Sequence, residues 1–150
     1  GPNVVHDIGI NGKMNELQAL FGLLNLKKYE EEKEKRKKIQ KYYIDNLKNQ
    51  KGLRILKNKN EQEQSYQYFP LIFEKEFKKN RDEIALELEK NNIIPRKYFY
   101  PACYEYDCYK DLKTSNLEVV EEIKNQVLCL PFWGDLKKEN VDKICEIILK

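Results

Sequence analysis

Gly9-Ile10-Asn11-Gly12-Lys13-Met14-Asn15-Glu16 is the stretch from which the fold can be worked out, because it opens the first helix. Asn15, followed three residues later by Gln18, matches a capping box, in which two side chains occupy free N–H groups at a helix start. The residues that follow place apolar side chains at helical spacing: Leu17, Leu20, Phe21 and Leu24. Glycines on both sides of Asn11 allow a loop that could hold an anion, although such clusters are also common in simple turns.

Length and charge restrict the class of protein. With 150 residues the chain has the usual size of one domain, and 41% apolar residues are enough for a core. Charged residues make up 35%, but the net charge of +3 argues against a nucleic-acid-binding arm. No apolar run approaches the ~18 residues of a membrane span and no secretory signal is visible, so we expect a cytoplasmic protein without a membrane partner. Residues 1–2 resemble the scar of a removed affinity tag.

The four cysteines do not form a recognisable metal or disulfide pattern: Cys103, Cys108, Cys129 and Cys145. A zinc site needs two closely spaced pairs, and these are absent. Disulfide frameworks belong to small secreted domains, so we expect reduced thiols that are mostly buried. The single histidine, His6, is distant in sequence from every cysteine, so a thiol nucleophile is poorly supported.

Residues 15–47 are predicted to form one long helix or two nearly collinear ones. The middle is almost wholly charged, and three Glu-before-Lys/Arg pairs at i, i+4 support it: Glu31 with Lys35, Glu32 with Arg36 and Glu34 with Lys38. Alternating signs indicate a solvated face rather than a nucleic-acid surface. Gly22 predicts a kink or a close packing contact. The first turns are apolar on more than one side, which suits an interface with something outside the chain.

Four short runs predict strands, at residues 53–56, 66–73, 93–98 and 127–130. Pro70 cannot donate to a sheet ladder, so its strand should lie at an edge or carry a bulge. Capping boxes at Asn80 and Ser115 predict two helices, and a last helix carries one apolar face: Val141, Ile144, Cys145 and Ile148. This order favours an α+β fold, in which a small, mostly antiparallel sheet packs with helices.

Residues 98–109 contain six of the 17 aromatic residues. Rings with hydroxyls and a few charges suit a pocket that stacks a base or a sugar. Tyrosine is also commonly half-buried, so a second interpretation is that these rings have no binding role and simply hold a loop against the core. The residue types leave these two interpretations open.

Three motifs, taken in order, resemble one family. The first motif is similar to the G-x-N-x-R-M-x-E-x-Q-A signature of the DegT/DnrJ/EryC1/StrS sugar aminotransferases, and reads Gly9-x-Asn11-x-Lys13-Met14-Asn15-Glu16-Leu17-Gln18-Ala19. Tyr98-Phe99-Tyr100-Pro101 resembles the aromatic loop of that family. Val127-Leu128-Cys129-Leu130-Pro131-Phe132 resembles its late L-S-L-P-L strand, and a helix with Val141-Asp142 follows.

The resemblance implies a pyridoxal-phosphate-dependent aminotransferase of the aspartate aminotransferase fold type. Such an enzyme would transfer an amino group from a glutamate-like donor to a nucleotide-linked keto-sugar, and family members are homodimers with active sites at the interface. Asn11 would reach the cofactor phosphate of the neighbouring subunit. Lys13 would lie near the phosphates of the nucleotide-linked sugar, and Tyr98 and Tyr100 would contact substrate.

The resemblance also implies that residues 3–150 are the C-terminal, small domain of such an enzyme. In the family, the lysine that binds pyridoxal phosphate covalently lies upstream of the first motif, and no such segment is present in this sequence. We therefore assign no catalytic residue and no metal ligand, and expect the chain alone to bind the cofactor weakly or not at all. The alternative hypothesis is a non-catalytic interaction module built on the long charged helix.

Overall fold

The computed structural model describes residues 12–56, 64–111 and 115–150. Its helices are α1 (Glu16–Leu26), α2 (Tyr29–Leu47), α3 (Arg81–Lys90), α4 (Glu118–Ile123) and α5 (Lys138–Leu149). Its strands are β1 (Leu53–Ile55), β2 (Phe69–Phe73) and β3 (Val127–Leu130), and two short 3-10 turns cover Cys103–Glu105 and Asp107–Tyr109. The strands pair antiparallel in the order β1-β2-β3, so the expected α+β fold with a small antiparallel sheet is confirmed.

The hydrophobic core lies between one face of the sheet and helices α2, α3 and α5. Alternate residues of β2 face it, since Phe69 pairs with Leu130 and Leu71 pairs with Leu128 across the ladder, and all four are buried. Tyr43 of α2 stacks on Phe69 with ring centroids 4.9 Å apart, and its hydroxyl donates to the Pro131 carbonyl at 3.0 Å. The predicted apolar face of α5 is buried as expected.

The predicted long helix is divided into α1 and α2 by a break at residues 27–28. Two of the three expected ion pairs are present in α2, at 2.9 Å for Glu31–Lys35 and 2.7 Å for Glu32–Arg36. Gly22 does not mark a packing contact, because a Cβ built there meets nothing within 4 Å among the described residues. The break lies five residues further on, where the sequence becomes charged.

Helix α1 has its predicted capping box but buries none of its residues. Asn15 Oδ1 accepts from the Gln18 N–H at 2.9 Å, and Gln18 Oε1 accepts from the Asn15 N–H at 3.0 Å. Its apolar side chains are all exposed by half or more: Leu17, Leu20, Phe21, Leu23, Leu24 and Leu26. This apolar surface stays uncovered by the part of the chain that the structure describes. None of the described helices is long and apolar enough to span a bilayer.

The expected strand at 93–98 is wrong. Only Arg96 pairs with β3, through one bridge to Cys129, because Pro95 offers no N–H and the chain turns where the Tyr100 N–H donates to the Lys97 carbonyl at 2.9 Å.

The position predicted for Pro70 is also corrected, because β2 is the central strand. The ladder between β1 and β2 ends at the Ile55–Leu71 pair, so Pro70 lies one residue beyond the end of β1 and needs no partner there.

The capping box predicted at Ser115 is not formed. Helix α4 begins at Glu118 with Leu117 at the N-cap, and the Asn116 side chain accepts from the Glu118 N–H at 3.2 Å. Asn116 therefore takes the local hydrogen-bonding role that the sequence pattern assigned to Ser115. The box at Asn80 and Glu83 is confirmed, and α3 stops where Asn92 adopts a φ of 59°.

Candidate functional site

A large cleft lies between the end of α3 and the aromatic loop, which we define as residues 94–106. Its volume is about 700 Å³, and it is lined by residues 94–101 together with Glu89, Cys103 and Tyr106. Tyr98 and Tyr100, the two candidate substrate-binding tyrosines, both line it. The loop contains two cis peptide bonds, Tyr98–Phe99 and Tyr100–Pro101. The aromatic residues therefore form the wall of a concave site rather than only a clamp on the core.

The sheet holds the start of the loop. The Arg96 N–H donates to the Cys129 carbonyl at 2.9 Å, and the Cys129 N–H donates back to the Arg96 carbonyl at 2.8 Å. The Arg96 side chain donates from Nη1 to the Tyr98 hydroxyl at 2.7 Å. The Tyr98 oxygen thus accepts a bond from a cation, and its own proton stays available for a ligand oxygen.

The first turn of α3 holds the middle of the loop through Arg81, which is 1% exposed. Its guanidinium lies 4.8 Å from the centre of the Tyr100 ring, and Nη1 donates to the Lys124 carbonyl at 3.0 Å. Arg81 Nε lies 2.9 Å from Asp82 Oδ1, an ion-pair distance without hydrogen-bond alignment. A buried cation on the face of Tyr100 therefore fixes the position of that ring.

Asp82 supplies a second contact to the loop, since Lys97 Nζ lies 2.6 Å from its Oδ1. Partial burial raises the pKa of Asp82, but the bonds from Lys97 and Arg81 outweigh it and hold the pKa below its usual value. The carboxylate is ionised at neutral pH and ties Lys97 to α3. Sequence patterns did not identify Arg81 or Asp82 as part of the site, because both followed a helix cap and carried no mark of burial or loop contact.

Tyr98 is packed by three neighbours. The Tyr68 ring meets it edge-on with centroids 5.1 Å apart, the Phe99 ring stacks on it at 4.9 Å, and the Arg96 guanidinium lies 5.5 Å from its centre. A second cleft of about 320 Å³ lies beyond Arg96 and is lined by Tyr68, Phe132 and Trp133 among others. Tyr98 therefore has a fixed ring, whereas Phe99 is 66% exposed.

The end of the loop is attached to α4 by a charged cluster. Lys124 Nζ lies 2.7 Å from Glu105 Oε1 and 2.8 Å from Glu121 Oε2, and Tyr104 donates to Glu121. Hydrogen bonds from Lys124 lower the pKa of both glutamates, and the same bonds raise the pKa of Lys124. All three groups stay charged at neutral pH, so the cluster anchors the loop and offers no proton for catalysis.

The four candidate site residues are not all brought together. Tyr98 and Tyr100 share the large cleft, whereas Lys13 is exposed ahead of α1 and does not line that cleft. Asn11 lies outside the described residues. The roles of all four in binding cofactor or substrate stay predictions.

The cysteines are free, as expected, but only two of the four are buried. Burial raises the pKa of Cys129 to about 11 and of Cys145 to about 12, so both are protonated, unreactive thiols at neutral pH. No group of three His, Cys, Asp or Glu side chains suited to a metal ion occurs within the described residues.

Comparison with known proteins assigns the fold to a family. The model of the DegT/DnrJ/EryC1/StrS aminotransferase family matches residues 2–149, and the chain belongs to that family. A dTDP-4-amino-4,6-dideoxy-D-glucose transaminase of Escherichia coli is 40% identical over 144 residues, which are 94% of this chain and 39% of that protein. The corresponding transaminase of Shigella dysenteriae is 32% identical and covers 96% of this chain and 40% of that protein.

Solved structures agree with the family assignment. Helicobacter pylori PseC, an aminotransferase of pseudaminic acid biosynthesis, superposes with a TM-score of 0.79 at 27% identity, covering 97% of this chain and 39% of that one. DesI, solved with its TDP-sugar product, superposes with a TM-score of 0.83 at 22% identity over 93% of this chain and 36% of that one, which supports the fold alone. This chain thus spans about two fifths of the length of the relatives it matches.

Aminotransferases of this family generally depend on pyridoxal phosphate. The described residues do not fit that cofactor by themselves. Lys97 and Lys124, the lysines at the aromatic loop, both have their ammonium groups on carboxylates, with Asp82 at 2.6 Å and Glu105 at 2.7 Å. Neither is a free amine placed to bond the cofactor, so we derive no chemical step through it from this chain.

Proposed function

We propose that residues 3–150 form the C-terminal domain of a pyridoxal-phosphate-dependent aminotransferase that acts on a nucleotide-linked keto-sugar. The observation that carries the proposal is the cleft, in which a chain of this family presents two fixed tyrosines beside an exposed ring. Relatives named as transaminases of dTDP-linked amino sugars support the substrate class. Amino-sugar synthesis for a surface glycan is the corresponding biological role.

Within this proposal the aromatic loop binds and orients substrate and performs no chemistry. Tyr98 donates its hydroxyl proton to a ligand oxygen while Arg96 donates to the hydroxyl oxygen at 2.7 Å. Tyr100, fixed by Arg81, provides a second ring wall and a second hydroxyl. Lys13 contributes a positive charge toward the substrate phosphates, and Asn11 binds the phosphate of the cofactor. The groups that react with the cofactor come from the remainder of the enzyme.

We further propose that the enzyme is a homodimer, takes its amino group from a glutamate-like donor and acts in the cytoplasm. The uncovered apolar surface of α1 supports an interface, because isolated exposed helices of 11 residues are marginal in water. Four free cysteines support a reducing compartment.

The alternative, a non-catalytic interaction module built on the charged helix, has less support. The charges of α2 are largely paired with each other, and its other side packs into the core through Ile39, Tyr43 and Leu47. Helix α2 therefore does not present a long face of unpaired charges to a binding partner. Neither hypothesis includes a nucleic acid.

The test is to express the full reading frame that contains this chain and assay it with glutamate and a panel of nucleotide-linked keto-sugars. We expect amino transfer to at least one of them, and about a 5- to 10-fold lower kcat/KM for Tyr98→Phe and Tyr100→Phe, since each loses one hydrogen bond. Tyr109→Phe, a tyrosine that does not line the cleft, is the matched control.

The 150-residue chain alone should show no amino transfer and no new visible absorbance band when mixed with pyridoxal phosphate. Transfer by this chain alone, or no transfer by the full reading frame with any sugar of the panel, would contradict the proposal.

A further inference from the structure

The aromatic loop is fixed on both sides of Phe99. Before it, Lys97 is bound to Asp82 at 2.6 Å and Tyr98 is packed by Tyr68 and Arg96. After it, the Tyr100 ring lies against the buried guanidinium of Arg81. The backbone that carries Phe99 is thus held at two points by α3, and the direction of its side chain is set before any ligand arrives.

Phe99 itself is covered on one face only. Its ring stacks on Tyr98 with an interplanar angle of 25° and a centroid distance of 4.9 Å, yet the residue is 66% exposed. It is the most exposed of the four rings that line the large cleft, since Tyr100 is 41% exposed and Tyr98 and Tyr106 are half-buried. Phe99 therefore lines the cleft with one face open among the described residues, and the Tyr98 ring backs its other face.

A flat, conjugated ligand group matches this face better than a sugar does. A sugar ring needs partners for its hydroxyls, and the phenyl ring of Phe99 offers none. Bases stack on exposed aromatic rings with little preference among sequences, because every base has a π face. In the function proposed above the sugar contacts the hydroxyl-bearing rings of Tyr98 and Tyr100, which leaves the more exposed Phe99 for the base of the same molecule.

We propose that Phe99 is the platform on which the base of a nucleotide-linked ligand stacks, an assignment that rests on the function proposed above and adds a base subsite to it. Arg96, for which the described residues supply no carboxylate partner, adds a positive charge beside the same loop. A nucleoside diphosphate combines the flat group and the negative charge that these two residues accept.

The experiment measures binding of dTDP to the 150-residue chain by ligand-observed saturation-transfer NMR, with 2-deoxyribose 5-phosphate as the probe that lacks a base. We expect the strongest transfer to the base protons of dTDP. Phe99→Leu keeps an apolar side chain but removes the π face, and should raise the Kd of dTDP by at least about 5-fold. Phe99→Trp should restore or tighten binding. Tyr29→Leu, at an exposed aromatic residue of α2 that does not line the cleft, should change nothing.

Three outcomes would contradict the proposed role of Phe99. The first is no dTDP binding by the wild-type chain at millimolar concentration, and the second is equal dTDP affinity for wild type and Phe99→Leu. The third is that Phe99→Leu lowers the affinity for 2-deoxyribose 5-phosphate as much as the affinity for dTDP. The last would indicate a sugar at this position. In the full reading frame, Phe99→Leu should raise KM for the nucleotide-linked sugar with little change in kcat. Absence of amino transfer by the wild-type enzyme would refute the proposed function, whereas the NMR result tests separately whether a base stacks on Phe99.

Discussion

Arg81 determines the shape of the cleft although it does not line it. Its buried guanidinium packs on the face of the Tyr100 ring and donates a hydrogen bond to the Lys124 carbonyl in the turn between α4 and β3. Lysine in its place would keep the charge but lose the planar group that stacks on Tyr100 and the fork that reaches Lys124.

We expect Arg81→Lys to lower the free energy of unfolding by about 2 kcal/mol, from the lost cation–π contact and hydrogen bond. Hydrogen exchange at the Tyr100 amide should accelerate, since the turn to Lys97 is no longer held. Arg54→Lys is the control, because Arg54 is an exposed partner of Glu74 at 2.8 Å and its loss should cost under about 0.5 kcal/mol. Equal effects for the two variants would show that Arg81 has no special role in the loop.

At the scale of single residues, the sequence was informative where the relevant contact was local. The caps at Asn15 and Asn80 and the left-handed residue Asn92 depend on neighbours within four positions, and all are as predicted. Tyr98 and Tyr100 line one cleft because only one residue separates them in the chain. Arg81 could not be identified, because burying an arginine requires partners 19 and 43 residues away, and no periodicity encodes these.

At the scale of elements, two helices with the same cap differ in what they pack against. Helix α3 buries Arg81, Ile84, Ala85 and Leu88, whereas α1 buries nothing. Replacing the N-cap asparagine in each helix therefore shows how much the cap contributes to stability in an unpacked helix and how much in a packed one.

We expect Asn80→Ala to lower the free energy of unfolding by about 1 kcal/mol, measured by urea denaturation, because two bonds from backbone N–H groups to the Asn80 side chain are lost. Asn15→Ala should reduce the helical circular dichroism signal of α1 and leave the urea midpoint unchanged. A lowered midpoint for Asn15→Ala would show that α1 unfolds together with the core.

Prediction of the elements failed where tertiary contacts or proline outweighed local preference. Residues 93–98 have the composition of a strand, but Pro95 and the turn after Lys97 leave one bridge to β3. Pro70 indicated an edge strand or a bulge, whereas the structure places it in the central strand, one residue beyond the end of β1 and in continuous register with β3. The break between α1 and α2 had no glycine or proline to mark it.

At the scale of the whole molecule, carboxylates that are paired with cations make the free energy of unfolding depend on pH. Hydrogen bonds from Arg36 lower the pKa of Glu32 below its ordinary 4.5, and bonds from Lys124 do the same for Glu105 and Glu121. The pKa of Asp82 is also lowered, by Lys97 and Arg81 against the opposing effect of burial. A group whose pKa is lower in the folded state adds stability above its unfolded pKa and loses it as the pH falls through the folded pKa.

The free energy of unfolding should therefore stay nearly constant from about pH 7 to about pH 5 and fall steadily below 4.5, the ordinary pKa of a glutamate. Urea denaturation along this series measures it. Glu32→Gln should make the acid-side decline shallower, because one of the shifted groups is gone. Glu34→Gln, whose carboxylate lies 3.6 Å from Lys37 on the exposed side of α2, serves as the control. An identical decline for Glu32→Gln and wild type would contradict the assignment.

The fold class, the family and the aromatic character of the cleft could thus be predicted from sequence, because each rests on a pattern that is short along the chain. The separation of Lys13 from the cleft and the two anchors on α3 depend on how distant segments meet, which one sequence does not reveal.

The paired backbone bonds between Arg96 and Cys129 attach the aromatic loop to the edge of the sheet. Side chains alternate between the two faces of a strand, so a shift of β3 by a single position would displace the Arg96–Cys129 bridge and, with it, the start of the loop. A misregistered molecule would keep its helices and most of its compactness and still misplace the lining of the cleft. Recovery of the ligand binding proposed for this cleft would consequently report the alignment of β3 more faithfully than recovery of the helical circular dichroism signal.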